Sequence, residues 1–253
     1  MDRDDREVTP LKLTKFFGGM FTGSAGLWEN ARFIIAEAPL DPKEVRRILP
    51  FGLWPAQPAT GILFIVNYLK PSFTVPYKEA ALLIRVRTLL GSGVHCCWMM
   101  VDDDTAMIYG RELLGYPKKM AAITFEESGN SIKASVTRRG IKVLSMTGEK
   151  GEAQNPAPPV FDQKTFNVGG LGQFMAFNPV WLFRPREAIK ESYSAAVTTK
   201  IVPSDYDPIS RIVAGDPLSG RFVVSDIPGT HYNLPVGVSG LRYFANTFYL
   251  RNR

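Results

Sequence analysis

The stretch Gly61-Ile62-Leu63-Phe64-Ile65-Val66-Asn67-Tyr68 decides the architecture. Here the chain turns to runs rich in Val, Ile, Leu and aromatics, separated by turn residues and lacking a helical period, as strands require. Downstream, residues 80–89 and 94–101 have the same texture, and the second run ends at the acidic turn Asp102-Asp103-Asp104. Residues 131–137 alternate Ile132, Ala134 and Val136 with polar neighbours, turn at Arg138-Arg139-Gly140, and return through Ile141, Val143 and Leu144. This pattern predicts a hairpin with one wet face. Further strands are expected at residues 187–201 (interrupted), at 221–225 and in the aromatic-rich segment 242–250. Upstream, Asp41-Pro42-Lys43-Glu44 joins a cap residue, a first-turn proline and a carboxylate, with Val45, Ile48 and Leu49 on one face. These predict a short helix stopped at Pro50. Residues 1–26, charged and then Gly-rich with Phe16 and Phe17, read as an arm or strap. The run Asn155-Pro156-Ala157-Pro158-Pro159 reads as an irregular crossing, because strand-like segments resume on both sides. The expectation is an α+β chain, mainly antiparallel sheet forming a closed or partly closed barrel with a few short helices, in a single domain over residues 1–253.

Composition narrows the function classes. The chain has 253 residues, 45% of them hydrophobic, enough to close a sizeable core without disulfides or structural metals. Its formal charge of +6 favours anionic partners. There is no dense basic run or RNA-binding aromatic motif, so nucleic acid is not expected. No polybasic amphipathic helix is present either, nor any apolar run near the roughly 20 residues that cross a bilayer, so no membrane partner is expected. The opening MDRDDREVTP lacks the apolar core of a secretory signal, which predicts a cytoplasmic protein. Cys96 and Cys97 are adjacent, and a disulfide between neighbours is strained, so they read as two small buried thiols. His95 and His231 are the only imidazoles and no zinc-like spacing occurs, so neither a metal nor a cofactor is expected.

The stretch that carries chemistry is Gly110-Arg111-Glu112-Leu113-Leu114-Gly115-Tyr116-Pro117-Lys118-Lys119-Met120. Tandem lysines ordinarily lie on a solvated face. Here Tyr116-Pro117 precede the pair and Met120-Ala121-Ala122-Ile123 follow it, so the two interrupt an apolar sequence. Desolvation disfavours an ammonium and draws a lysine below its ordinary value of about 10.4. The resulting amine can attack a ketone to form a protonated imine, which draws electrons from the bond beside the former carbonyl. If the segment is extended, successive side chains point to opposite faces, and burial rather than the neighbouring cation governs the reactive lysine.

Together, Gly110-Arg111-Glu112-Leu113 and Tyr116-Pro117-Lys118-Lys119 resemble the active-site segment of the acetoacetate decarboxylase family. The resemblance extends upstream to Tyr77-Lys78-Glu79, like the family's Tyr-x-Glu stretch. Elsewhere it follows the order of elements: the helix ending Ile48-Leu49-Pro50, the hairpin, and the Asp207-Pro208-Ile209 region. It implies Lys118 as the Schiff-base lysine, Lys119 as its tandem partner and Glu79 as the carboxylate that handles protons. A second family carboxylate has no counterpart, because the matching segment reads Ile62-Leu63-Phe64-Ile65-Val66. Phe64 in its place favours a bulkier or more apolar substrate. Arg32 is a candidate for the family's early substrate-facing arginine, Tyr116 for substrate contact, and Tyr249 for a phenol that relays protons.

Three functions fit. The first is a Schiff-base lyase that decarboxylates a β-keto acid such as acetoacetate. The second is an aldolase-dehydratase of the wider superfamily, which condenses a keto acid such as pyruvate with an aldehyde. The third is a ligand-binding barrel without turnover. A small keto acid is the expected partner of the first two, and the resemblance also implies a homo-oligomer.

Overall fold

The computed structural model describes residues 28–155, 157, 159–169 and 178–252, apart from the Tyr249 side chain. The expected arm at residues 1–26 lies outside these. The elements in chain order are β1 (Trp28–Pro39), α1 (Pro42–Ile48), β2 (Trp54–Pro55), β3 (Thr60–Tyr68), β4 (Lys70–Pro71), β5 (Tyr77–Thr88), β6 (Gly91–Val101), α2 (Asp104–Leu114), β7 (Lys118–Met120) and β8 (Ala122–Ser128). After them come β9 (Ser131–Arg138), β10 (Ile141–Ala153), β11 (Thr165–Val168), β12 (Pro179–Ile201), a 3-10 turn (Pro208–Arg211), β13 (Ser219–Val238) and α3 (Leu241–Asn252). None of the described helices is long and apolar enough to cross a membrane.

Strand β11 pairs with both β6 and β12, so β11-β6-β5-β3-β1-β13-β12 closes on itself as a seven-stranded barrel. The closure removes free sheet edges from these strands. Pairing around the ring is antiparallel except at β6–β11. The C-terminal half of β12 leaves the ring and carries β10, β9 and β8 beside it. The predicted mainly antiparallel barrel with few short helices is what forms.

Strand alternation sorts the apolar residues into two cores. Ile62, Phe64 and Val66 of β3 join Phe33 and Ile35 of β1 and Ala81 and Leu83 of β5 inside the barrel. Leu63 and Ile65, with Ile34 and Leu82, face outward and meet Ile132, Ala134, Val136 and Met146 of the β9–β10 hairpin. Nearly every residue of β3 is therefore buried, which is why its sequence is a continuous apolar run instead of an alternation. Burial of Ile132, Ala134 and Val136 between more exposed neighbours bears out the one wet face expected of the hairpin.

Helix α1 starts where predicted: the Asp41 carboxylate accepts the backbone N–H groups of Lys43 and Glu44, each at 2.8 Å, and Pro42 needs no acceptor. One expectation is corrected. Residues 242–250 are helical, not a strand: the buried Tyr243, Thr247, Leu250 and Arg251 of α3 recur at helical spacing. Arg32 itself lies on β1, a central strand of the ring. Both thiols are free and buried, as expected.

Candidate active site

The 11-residue helix α2 is the scaffold behind the tandem lysines. The Asp103 carboxylate caps its start, accepting Ala106 N–H at 2.7 Å, and its end turns at Gly115, whose φ of 71° favours a residue without Cβ. The chain then enters β7, which runs parallel to β6 with Lys118 beside Met99 and Lys119 beside Met100. Met99 belongs to the barrel interior and Met100 to the outer core. The two lysines therefore point to opposite faces of the sheet.

A bulge sets the phase of this division. Register between β5 and β6 slips so that Leu82 opposes Trp98 while Leu83 opposes Cys96, leaving Cys97 as the extra residue. Val94 and Cys96 face inward before the bulge, Met99 and Val101 after it.

On the inner face, Lys118 and Glu79 are 5% and 4% exposed, and Lys118 Nζ lies 2.6 Å from Glu79 Oε2. Glu79 projects inward from β5 in phase with Tyr77 and Ala81. The Lys118 nitrogen lies 5.8 Å from the centre of the Tyr77 ring and 5.9 Å from that of Tyr116, near enough for both faces to favour a cation there. The Tyr77 hydroxyl accepts the Trp28 indole N–H at 2.9 Å, which fixes the ring.

The Gly-Arg lead of the motif acquires a physical role. A Cβ at Gly110 would stand 2.4 Å from Lys118 Cε and 2.5 Å from its Cδ, so only glycine lets α2 pass this close to the lysine stem. Arg111 donates to the backbone carbonyls of Lys118, at 2.9 Å, and Arg251, at 2.8 Å, tying β7 to the end of α3.

Lys118 and Glu79 open on a cavity of about 950 Å³, its open mouth included. Phe33, Phe64, Phe73, Met99 and Phe161 are among its walls. Of the described residues that line it, Lys118 and Glu79 are the only charged ones.

On the outer face, Lys119 is engaged by the Asp207 carboxylate, which also accepts from Arg138 at 3.1 Å and from the Trp98 indole at 3.3 Å. Asp207 is fully buried. Burial pulls Lys119 down from 10.5 to about 8, against the pull of the Asp207 charge.

Of the sequence candidates, Lys118, Glu79, Phe64 and Tyr116 come together around one cavity. Lys119 does not line it. Arg32 is also absent: it alternates with the inward-facing Ala31 and Phe33, and its Nη1 lies 2.5 Å from Glu127 Oε2 of β8. The side chain of Tyr249 lies outside the described residues. Tyr68, Phe73 and Phe161 also line the cavity and went unnoticed in sequence, since each reads as ordinary core. Gly110 and Arg111 were noticed only as parts of the motif.

The family model of acetoacetate decarboxylase matches residues 10–235. An acetoacetate decarboxylase from Chromobacterium violaceum is 26% identical over 207 residues, covering 78% of this chain and 83% of that protein. Acetoacetate decarboxylase 2 of Mesorhizobium japonicum is 30% identical over 129 residues, 50% of this chain, and the match spans about half (48%) of that protein's length. In fold, the chain is similar to a solved acetoacetate decarboxylase (TM-score 0.76, 16% identity, 83% of this chain and 88% of that one). It is also similar to the enduracididine biosynthesis enzyme MppR solved with pyruvate (TM-score 0.67, 13% identity, 81% and 88% covered). With the family model spanning most of its length, the chain belongs to the acetoacetate decarboxylase family.

Proposed function

We propose that this chain is a Schiff-base lyase that decarboxylates a β-keto acid, with Lys118 as nucleophile and Glu79 as proton carrier. The observation that carries the reading is a buried amine 2.6 Å from a buried carboxylate at the wall of an apolar cavity. Glu79 is placed to take the proton Lys118 must lose before it attacks. The Lys118 nitrogen adds to the ketone carbon of the substrate, water leaves, and a protonated imine forms between Tyr77 and Tyr116. The bond to the carboxylate carbon breaks, carbon dioxide departs, and the electron pair passes into the imine to give a neutral enamine. The enamine carbon takes a proton from the Glu79 carboxyl group, and water then releases the ketone and the free lysine. The net change is one keto acid anion and one proton converted to one ketone and carbon dioxide.

The lining favours decarboxylation over condensation. An aldolase that starts from pyruvate keeps the substrate carboxylate to the end and needs a group to hold it. None of the described lining residues other than Lys118 is cationic, and Arg32 is committed to Glu127 on the other side of β1. A decarboxylase discharges that carboxylate as neutral gas, which an apolar wall accepts.

Borohydride reduction with acetoacetate, followed by peptide mass analysis, tests the reading. A reduced adduct on Lys118 together with carbon dioxide release is expected. Adducts with pyruvate plus consumption of an aldehyde, without gas release, would move the assignment to an aldolase-dehydratase. No adduct with either acid would leave a non-catalytic binding barrel.

A further inference from the structure

Acetoacetate has a single methyl group beyond its ketone, whereas the cavity at Lys118 is walled by rings that run well past the reactive nitrogen. Behind Lys118 stands Tyr77, its ring centre 5.8 Å from the lysine nitrogen. Tyr77 meets Tyr68 with ring centres 4.8 Å apart, Tyr68 meets Phe33 at 6.0 Å, and Phe33 meets Phe161 at 4.7 Å. Phe64 backs the last pair, 5.0 Å from Phe161. These contacts form one continuous aromatic surface, and every member but the lysine is uncharged. Tyr68, Phe33, Phe64 and Phe161 of this series line the cavity, and a substrate that ended at a methyl group would leave their cavity-facing edges without an apolar partner.

Phe161 stands at the far end of this series and is anchored rather than hanging from its loop. Its backbone N–H and that of Val160 both donate to Glu187 Oε2 of β12, each at 2.7 Å. Glu187 is itself largely buried, and burial raises its carboxyl group above the usual range while the two N–H donors oppose the rise. The ring therefore presents a fixed wall to whatever reaches it.

We infer that the keto acid taken at Lys118 carries an extended apolar tail, alkyl or aryl, that lies along the rings from Tyr68 to Phe33 and stops at Phe161. This rests on the imine chemistry proposed above and adds the substrate class. The carbonyl carbon sits at the Lys118 nitrogen, the carboxylate leaves as carbon dioxide, and the tail supplies the binding energy that acetoacetate lacks. Each methylene drawn from water onto the wall should raise kcat/KM about fourfold until the tail meets Phe161. At that point the gain ends.

The test compares 3-oxobutanoate, 3-oxohexanoate, 3-oxooctanoate and 3-oxo-3-phenylpropanoate with the full chain, following carbon dioxide release and borohydride-trapped adduct. The expected result is kcat/KM rising at least tenfold from the four-carbon to the six-carbon acid, with the phenyl acid also above acetoacetate. Phe161→Ala, or Phe161→Leu if the alanine variant melts early, should move the optimum to a longer tail. Trapping of acetoacetate with kcat/KM flat or falling along the series would overturn the tail and leave the imine reading standing. An unchanged chain-length profile in a folded Phe161 variant would overturn the placement of the tail's end. Absence of any adduct with all four acids would overturn both readings, a failure distinct from a flat series.

Discussion

Lys118 and Lys119 are neighbours in sequence, equally buried, and each sits against a carboxylate, yet they serve different parts of the molecule. Lys118 faces a cavity, and its partner Glu79 comes from the next-but-one strand of the same sheet, reached across β6. Lys119 faces a filled core, where Asp207 joins it to Arg138 and Trp98. One ion pair borders a cavity, while the other is buried in the outer core. In the proposed reaction, an identical residue type acquires a chemical or an architectural role from the face of β7 it occupies. The bulge at Cys97 contributes to that choice by setting which residues of β6 accompany each lysine.

The largest expected effect breaks the inner side. Lys118→Ala should lower turnover by about 10³-fold or more, because the covalent route needs its nitrogen, and carbon dioxide release under saturating substrate measures it. On the outer side, Asp207→Ala should cost about 3–5 kcal/mol of stability in urea unfolding, since it leaves Lys119 and Arg138 buried without their shared counter-charge. Its adduct formation at Lys118, measured where the variant is still folded, should persist.

The outer core also predicts a pH dependence. His95 is fully buried, its Nδ1 at 2.7 Å from the Phe166 carbonyl, and burial pulls it down from 6.5 to about 4, a trend to which the nearby Arg251 charge adds. Above pH 6.5 the imidazole is neutral whether the chain is folded or not, and contributes no slope. Between 6.5 and 4 the unfolded chain binds a proton that the folded chain does not, so stability falls as pH falls through that window, by about 3 kcal/mol in all. Urea unfolding at several pH values should show this loss, and His95→Asn, which keeps a donor for Phe166 but cannot titrate, should flatten it. An equally steep loss in the variant would assign it to other groups.

Gly110→Ala sharpens the inner side further. Its new Cβ collides with the Lys118 stem, so kcat should fall about 100-fold through misplacement of the nucleophile. An unchanged kcat would show that the helix yields instead.

Much of this division was legible in the sequence because it follows from strand alternation. Residues 61–68 and the hairpin announced the sheet, Asp41-Pro42 announced α1, and the apolar setting of the tandem lysines announced their burial. What escaped did so for physical reasons. Strand β1 is buried on both faces, so Phe33-Ile34-Ile35-Ala36 offers no alternation to read, and nothing local shows that Arg32 faces Glu127. The aromatics of α3 weighed towards a strand by propensity, while the spacing of its buried residues is helical. Asp207 lies far along the chain from Lys119, and Phe161 far from Phe33, so neither pairing has a local signature.

Intact mass after borohydride reduction with a β-keto acid, compared between Lys118→Ala and Lys119→Met, tests the separation of the two lysines most directly. Lys119→Met leaves Asp207 paired with Arg138 and removes a charge that never faced the cavity. The account predicts no adduct in Lys118→Ala and substantial adduct in Lys119→Met. Equal loss of adduct in both folded variants would contradict it, and would make the neighbouring charge, not the face of the strand, the source of reactivity.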